Sequence, residues 1–542
     1  MPSIPATELE QTASTESRPS PIRWGPHVAL ALVLLAMAVL RFWRSPAEAG
    51  GMLVAPDGAE YAVAAHRLAT LGTLDIDVGG ARYPIRYPPT FSAALLAPVY
   101  AIAPGEIGNG IIVVQAFALL LVAAAYVAGY RIAGIWGAAA AGVAVIGHDL
   151  LAKFARTIMT DLPVAALTVA ALAVFLSLRR ESGLATWCLA GFLAALAAGL
   201  RPLAAALLLP FLVMIAIDRR RALPKLALQV LPMAALVAAS GWYNHGRFGS
   251  WRRTGYQFWC PIPYEFPSLT FSSRYFWENV DLFAHPAMWL ALLGGIAGLV
   301  AMFGRQSDLA RRVAAFAALT ALPISALHLY YFHVEPRFHA PLIALCCTIG
   351  AAGVVLLLPR RWRERPWIAV ALAAVALGFV RLPKDVYGVR PGRSVVQRLA
   401  TFVPQGGTII TRGDPVQLDP IVLRPGGRHW IPIWRKQNYA GHAIAPLPID
   451  LPAEAVNWPG THRAPALFKA GARDAVPWTA LERPDLIMAR VVEGPGVFLD
   501  ATTVPPGSEP YKRVAQLFDL RPVDPEGEVL RLSAKSTSRE GR

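Results

Sequence analysis

Apolar residues run along this chain in blocks of roughly 15 to 25, broken by short polar and basic stretches. About 20 apolar residues suffice for a helix to cross a hydrocarbon layer about 30 Å thick. Read by apolar length, the chain predicts spans near 27–43, 107–129, 133–150, 162–178, 184–199, 202–217, 226–243, 286–303, 314–332, 338–358 and 367–382. A further segment, PTFSAALLAPVYAIAP at 89–104, is apolar but short, with proline at both ends and in the middle. It reads as an interfacial or re-entrant helix.

Charge decides that point. With 89–104 not crossing and the N-terminus inside, Arg131, Arg179-Arg180, the cluster at 218–225, the segment 305–312 and the cluster at 359–366 all face inward. Lysine and arginine are retained on the cytoplasmic side of membrane proteins, so eleven spans with the C-terminus outside is the expected topology. Three sizeable pieces then lie on the outer face: 44–106, 244–285 and 383–542. The last is rich in Pro, Gly and charge. It mixes a helix-like stretch (SVVQRLATFV, 394–403) with strand-like runs (TIIT, then DLIMARVV at 485–492 and EVLRLSA at 528–534). The expected fold is therefore mainly α: a polytopic membrane helix bundle with outer-face juxtamembrane helices and a small C-terminal α/β soluble domain. Residues 1–26 are expected to be a disordered cytoplasmic tail, 27–382 the membrane domain and 383–542 the extracytoplasmic domain.

Composition agrees. Of 542 residues, 55% are hydrophobic and only 16% charged, where a soluble chain carries about a quarter charged. The net charge of +16 sits largely in loops between apolar runs, which suits anionic lipid heads and gives no basic-aromatic module for nucleic acid. The four cysteines form neither a disulfide framework nor a zinc spacing. Residues 28–40 with Ala47-Glu48-Ala49 have the outline of a signal peptide. The long, weakly basic leader and the intervening Arg41 and Arg44 favour an uncleaved first span. Asp57 lies on the outer face in either case.

The stretch PDGAEYAVAAHRLATLG, starting at Pro56, follows the first span closely. Asp57 and Glu60 have the spacing of a capping box, so Asp57 can be a helix cap, a catalytic base, or both. In the next outer loop, FARTIMTDLP, Asp161 precedes a helix start and Arg156 lies nearby. Arg201 stands in AAGLRPLAAA between two apolar runs, where a charge marks either a site or a side chain reaching to the surface. YFHVEPRFHAP at 331–341 holds His333, Glu335, Arg337 and His339. Pro336 breaks any helix there and the histidine spacing matches no regular metal motif, so anion binding by Arg337 is the better reading. The loop 243–259 mixes Arg247, Arg252 and Arg253 with Tyr243, Trp251, Tyr256 and Trp259. It fits an interfacial belt, or a stacking and cationic platform for a phosphorylated sugar.

In order along the chain, P-D-x-x-x-Y with HRLATLG, RYPIRYPP, MTDLPVAALTVAALAVF, YN…FGS…TGY and PRFHAPLIAL resemble landmarks of the bacterial GT-C glycosyltransferases. The similarity is to the protein mannosyltransferase and aminoarabinose-transferase type and covers most of residues 27–358. It implies a polyprenyl-phosphate sugar donor, an outer-face catalytic aspartate matched by Asp57, and a bacterial plasma-membrane location. Many relatives have a second acid directly after the first, whereas this chain has Gly58 there. On this footing Asp57 and Asp161 are the expected catalytic pair. Arg201, Arg337, Arg156, Tyr61, Tyr256 and His339 are the expected substrate and phosphate binders, with no metal and no cofactor. The acceptor, whether glycan, lipid or protein, is left open. A transporter or flippase of lipid-linked sugars, and a non-enzymatic sensor or assembly factor, are the competing readings. The flippase finds no internal sequence repeat in its favour.

Overall fold

The computed structural model describes residues 24–51, 57–78, 81–178, 182–219, 221–259, 264, 267–333, 335–381, 401–404, 408–411, 429–432, 491, 496–502 and 504–535. Among these the chain is mainly helical. The longer helices are α1 (Trp24–Phe42), α2 (Asp57–Leu71), α3 (Ile111–Gly147), α4 (Asp161–Ser177), α5 (Leu184–Leu200), α6 (Leu209–Ile217), α7 (Ala222–Phe248), α8 (Pro286–Arg305), α9 (Ser307–Leu319), α10 (Ala321–His328), α11 (Ala340–Val354), α12 (Pro366–Leu377) and α13 (Glu509–Leu517).

Among the described residues, six helical segments are long and apolar enough to cross a membrane: Trp24–Phe42, Ile107–Gly147, Ala222–Phe248, Pro286–Arg305, Ser307–His328 and Pro336–Leu357. Shorter apolar helices occupy Phe91–Ile102, Asp161–Ser177, Leu184–Leu200, Pro202–Ile217 and Pro366–Leu377. This is a multi-pass membrane protein. Large apolar side chains such as Leu223, Leu231, Val237 and Phe379 stand exposed on the bundle's outside, as hydrocarbon-facing positions do.

Two departures from the expected spans have local causes. Helix α3 covers two predicted spans because it doubles back at Ala133 (φ −142°, ψ 29°) and Gly134 (φ 62°, ψ −153°). A Cβ on Gly129 would overlap the Gly137 carbonyl oxygen. Two residues eight apart in one straight helix would be about 12 Å apart, so the arms form a tight hairpin. The predicted span 314–332 is interrupted at Thr320 (φ −119°, ψ −91°), between α9 and α10. Pro323 cannot donate to the Leu319 carbonyl, which removes the hydrogen bond that would carry the helix through.

The centre of the bundle is formed by α3, α4, α8 and α11. Small residues permit the closest crossing. A Cβ on Gly350 of α11 would lie 2.5 Å from the Gly294 carbonyl carbon, and one on Gly353 would overlap the Gly298 oxygen. Backbones packed this closely gain dispersion contacts that membrane helices cannot obtain from the hydrophobic effect.

Toward the C-terminus, strands β3 (Thr408–Thr411), β4 (His429–Pro432), β5 (Val497–Asp500), β6 (Phe518–Pro522) and β7 (Val529–Ala534) form one sheet. They follow a small antiparallel hairpin, β1 (Asp75–Val78) with β2 (Ala81–Pro84). The sheet order is β4-β3-β5-β7-β6, with β3 parallel to both neighbours and β7 antiparallel to both of its own. Its core holds Ile410, Val497, Leu499, Val514, Phe518 and Leu532, so α13 closes one face through Val514. The strand predicted in 528–534 and the one in TIIT are present. The strand predicted at 485–492 and the helix at 394–403 lie almost wholly outside the described residues.

Candidate active site

Helix α2 begins at Asp57, and buried positions recur along it from Gly58 to Ala65. The apolar helix at Phe91–Ile102 packs beneath it, with Phe91 against the Tyr61 ring at 5.1 Å between centroids. Ser92 also donates to the Tyr61 carbonyl at 3.1 Å. This packing fixes the head of α2 and the direction of its first side chain.

Both carboxylate oxygens of Asp57 accept hydrogen bonds. The Tyr87 hydroxyl donates to Oδ1, and Arg337 Nη1 donates to Oδ2 at 2.5 Å. Asp57 and Arg337 are 280 residues apart, and their side chains are only 13% and 10% exposed. Arg337 arrives on the short turn Pro336–His339 that leads into α11. Burial alone would raise the Asp57 carboxyl. The Arg337 charge, the Tyr87 hydrogen bond and the Arg86 charge outweigh it and hold the group below its ordinary value of 3.8.

A second pair lies alongside. Arg201, in extended conformation where α5 gives way to the turn Pro202–Leu208, binds Asp161 Oδ1 through Nη2. Its Nε donates to Thr160 Oγ1 at 3.3 Å. Asp161 opens α4, with its side chain fully buried. Its other oxygen, Oδ2, has no hydrogen-bond partner among the described residues.

The two pairs share neighbours. The Arg201 and Arg337 guanidinium carbons lie 5.2 and 5.3 Å from the centroid of the same ring, Phe338. Tyr61 hydrogen-bonds Thr160 and senses the charges of Asp57, Arg201 and Asp161. Tyrosines then line the site outward. Tyr87 lies against Tyr61 at 4.9 Å and Tyr256 at 5.5 Å; Tyr256 lies against Tyr264 at 4.9 Å; and the Tyr264 and Tyr331 hydroxyls are 2.8 Å apart.

Six of the eight expected site residues thus meet: Asp57, Asp161, Arg201, Arg337, Tyr61 and Tyr256. Arg156 lies in the turn between the short helix Asp149–Phe154 and α4, where its carbonyl accepts from Arg44 at 3.2 Å. His339 is fully buried, its ring 4.7 Å from Phe283 and 6.3 Å from His328. The other members of the 331–341 cluster do not converge on it as a metal set: His333 instead faces Glu335 at 3.6 Å.

Two functional candidates escaped the sequence reading. Tyr87 sits inside RYPIRYPP, where Pro88 and Pro89 stiffen the chain after it; that rigid context was the available signal. Glu60, expected to be a capping partner, is 1% exposed and accepts from the Arg86 backbone N–H, with the Arg86 guanidinium at 3.5 Å.

The helix bundle, with a helix and a hairpin after its first long helix and a small C-terminal sheet, shares its fold with solved structures of other proteins. Two solved structures that carry it are ArnT, an aminoarabinose transferase, from Cupriavidus metallidurans bound to undecaprenyl phosphate and in the apo state. The first matches with a TM-score of 0.63 at 16% identity, covering 96% of this chain and all of that one. The second matches with a TM-score of 0.60 at 16% identity, covering 93% and 97%. An oligosaccharyltransferase from Archaeoglobus fulgidus is more distantly similar, with a TM-score of 0.45 at 11% identity over 77% of this chain and 66% of that one. No protein-family model and no curated protein sequence matches the chain.

Proposed function

We propose that this protein is a glycosyltransferase of the bacterial plasma membrane that moves a sugar from a polyprenyl phosphate to an acceptor on the extracytoplasmic face. The observation that carries the reading is the paired arrangement of Asp57 with Arg337 and Asp161 with Arg201 around Phe338 and Tyr61. Glycosyl transfer to a hydroxyl needs a base for its proton and cations for the departing phosphate, and this cluster contains both. The fold shared with a structure holding undecaprenyl phosphate gives the donor class its support.

In the proposed step Asp57 takes the acceptor hydroxyl's proton as that oxygen attacks the anomeric carbon. The bond from the anomeric carbon to the phosphate oxygen breaks, and the electron pair leaves with the lipid phosphate. Arg337 and Arg201 meet the growing negative charge. Asp161 offers its unpartnered Oδ2 to a sugar or acceptor hydroxyl. Tyr61 and Tyr256 wall the sugar. Direct displacement inverts the anomeric centre and requires one base and no covalent enzyme intermediate.

In this reading the chain crosses eleven times from a cytoplasmic N-terminus. The cluster and residues 383–542 are then outside, at the rim of the leaflet where a lipid-borne donor presents its phosphate. A non-enzymatic sensor does not require Asp57 and Arg337 to meet inside the protein. The test is in-vitro transfer by the purified chain from a panel of polyprenyl-phosphate sugars. Turnover of one or more of them is expected; inactivity across the panel, by protein that still binds polyprenyl phosphate, would count for the flippase reading.

A further inference from the structure

We infer that Tyr87 is a positioning residue for the base, held in place by a strap that runs from Glu60 through Arg86. The inference rests on the reading of Asp57 as the base. The Tyr87 hydroxyl binds Asp57 Oδ1 while Arg337 takes Oδ2, so the carboxylate plane is fixed from two sides by groups far apart in the chain. A carboxylate held by Arg337 alone could still turn about its Cβ–Cγ bond. The second donor stops that rotation and sets which lone pairs remain for the acceptor proton.

Tyr87 is itself fixed. Its ring lies between Tyr61 and Tyr256. One residue earlier, the Arg86 N–H is bound by the buried Glu60 carboxylate, whose other oxygen faces the Arg86 guanidinium. Asp57 and Glu60 sit one turn apart on α2, so the helix carries both the base and the anchor of the strap that orients it. Burial pushes the Tyr87 phenol well above its usual value, which keeps the hydroxyl a donor at any working pH.

The groups facing Asp57 come from every side. Arg337 comes from the turn before α11, and Arg86 and Tyr87 from the segment before Pro88. Asp161 comes from the head of α4, and Tyr61, Tyr256 and Tyr331 complete the ring. Of these, Tyr87 is the neutral group bonded to Asp57 itself, and its hydroxyl can be removed without changing the net charge of the site.

The experiment uses the detergent-purified full chain and a polyprenyl-phosphate sugar that the wild type turns over. Tyr87→Phe keeps the ring packing and removes only the hydroxyl. It should lower kcat about tenfold, as loss of a hydrogen bond to a charged group does, with KM for the donor unchanged. The acid limb of kcat/KM should move up by about one pH unit, because ionised Asp57 has lost a donor. Glu60→Gln reads the strap from its other end without touching Tyr87, and should shift kcat and the acid limb in the same directions by less. Wild-type kcat with an unmoved acid limb in both variants would overturn the proposal, and so would a rise in donor KM alone. Asp57→Asn in the same assay separates the two readings. If it keeps turnover, the base assignment fails; if it is inactive while Tyr87→Phe is unaffected, only the positioning role fails.

Discussion

The Asp161–Arg201 pair offers the sharpest stability test, because its partners are buried unequally. Asp161 has a side chain with no exposure and Arg201 one with 20%. Replacing Arg201 with methionine leaves Asp161 Oδ1 facing an apolar chain, beside an Oδ2 already without a partner among the described residues. An ion left unpaired in such a place costs about 3–5 kcal/mol. Asp161→Asn alone should cost less, about 1–3 kcal/mol, since the remaining cation can reach the partly open side. In the double variant, Asp161→Asn combined with Arg201→Met, neither charge is stranded, so its loss should fall well below the sum of the singles. A coupling energy of about 2 kcal/mol or more is expected, within the range seen for residues in direct contact. The assay is thermal unfolding of the purified protein in one detergent, followed by the fraction that stays monodisperse. If the losses add, the two side chains do not depend on each other and the geometry given for the site is wrong. A double variant that is stable but inactive in transfer would assign the pair to function.

Three further outcomes follow from the same structure. Gly350→Leu should abolish folded protein in the membrane, since even a Cβ there would sit 2.5 Å from the Gly294 backbone; normal yield and thermal stability would contradict the α8–α11 crossing. Because Asp57 is held below its ordinary value, its ionised form contributes stability above the unfolded value, lost only as pH falls through the lower folded one. Transfer should therefore be flat from neutral pH down to about pH 5 as far as Asp57 is concerned, and an acid limb near neutrality in the wild type would count against it as the base. With both Asp57 oxygens already bonded to Tyr87 and Arg337, chelation by EDTA should leave turnover within about twofold; a loss restored by a divalent cation would show that these bonds give way to a metal.

Much of the bundle was legible because crossing a membrane imposes length and apolarity on each helix. The runs 184–199, 202–217 and 367–382 reappear as the apolar helices Leu184–Leu200, Pro202–Ile217 and Pro366–Leu377, which are shorter than the six helical segments long enough to cross a membrane. The break at Thr320 was not read, though Pro323 announced it, because hydropathy averages over a single missing hydrogen bond. The pairing of Asp57 with Arg337 lay within reach of the topology expected from charge, which puts both residues on one face. Tyr87 was marked only by its stiff RYPIRYPP context, because hydropathy and charge say little about a lone tyrosine, and its role comes from one hydroxyl meeting a residue 30 positions away. Glu60 misled in the opposite way: its spacing from Asp57 fits a helix cap, while its carboxylate reaches across to Arg86.

Asp57 carries the proposed chemistry, and the most direct measurement compares wild type with Asp57→Asn in transfer from a polyprenyl-phosphate sugar. The amide keeps the shape: its oxygen can accept from Arg337 while its NH2 donates to the Tyr87 hydroxyl oxygen, but it cannot take a proton from the acceptor. General-base catalysis is worth about 10²–10⁴-fold, so Asp57→Asn should elute and melt much as wild type does while its kcat falls by at least the lower figure. A folded Asp57→Asn variant with near wild-type turnover would contradict the account.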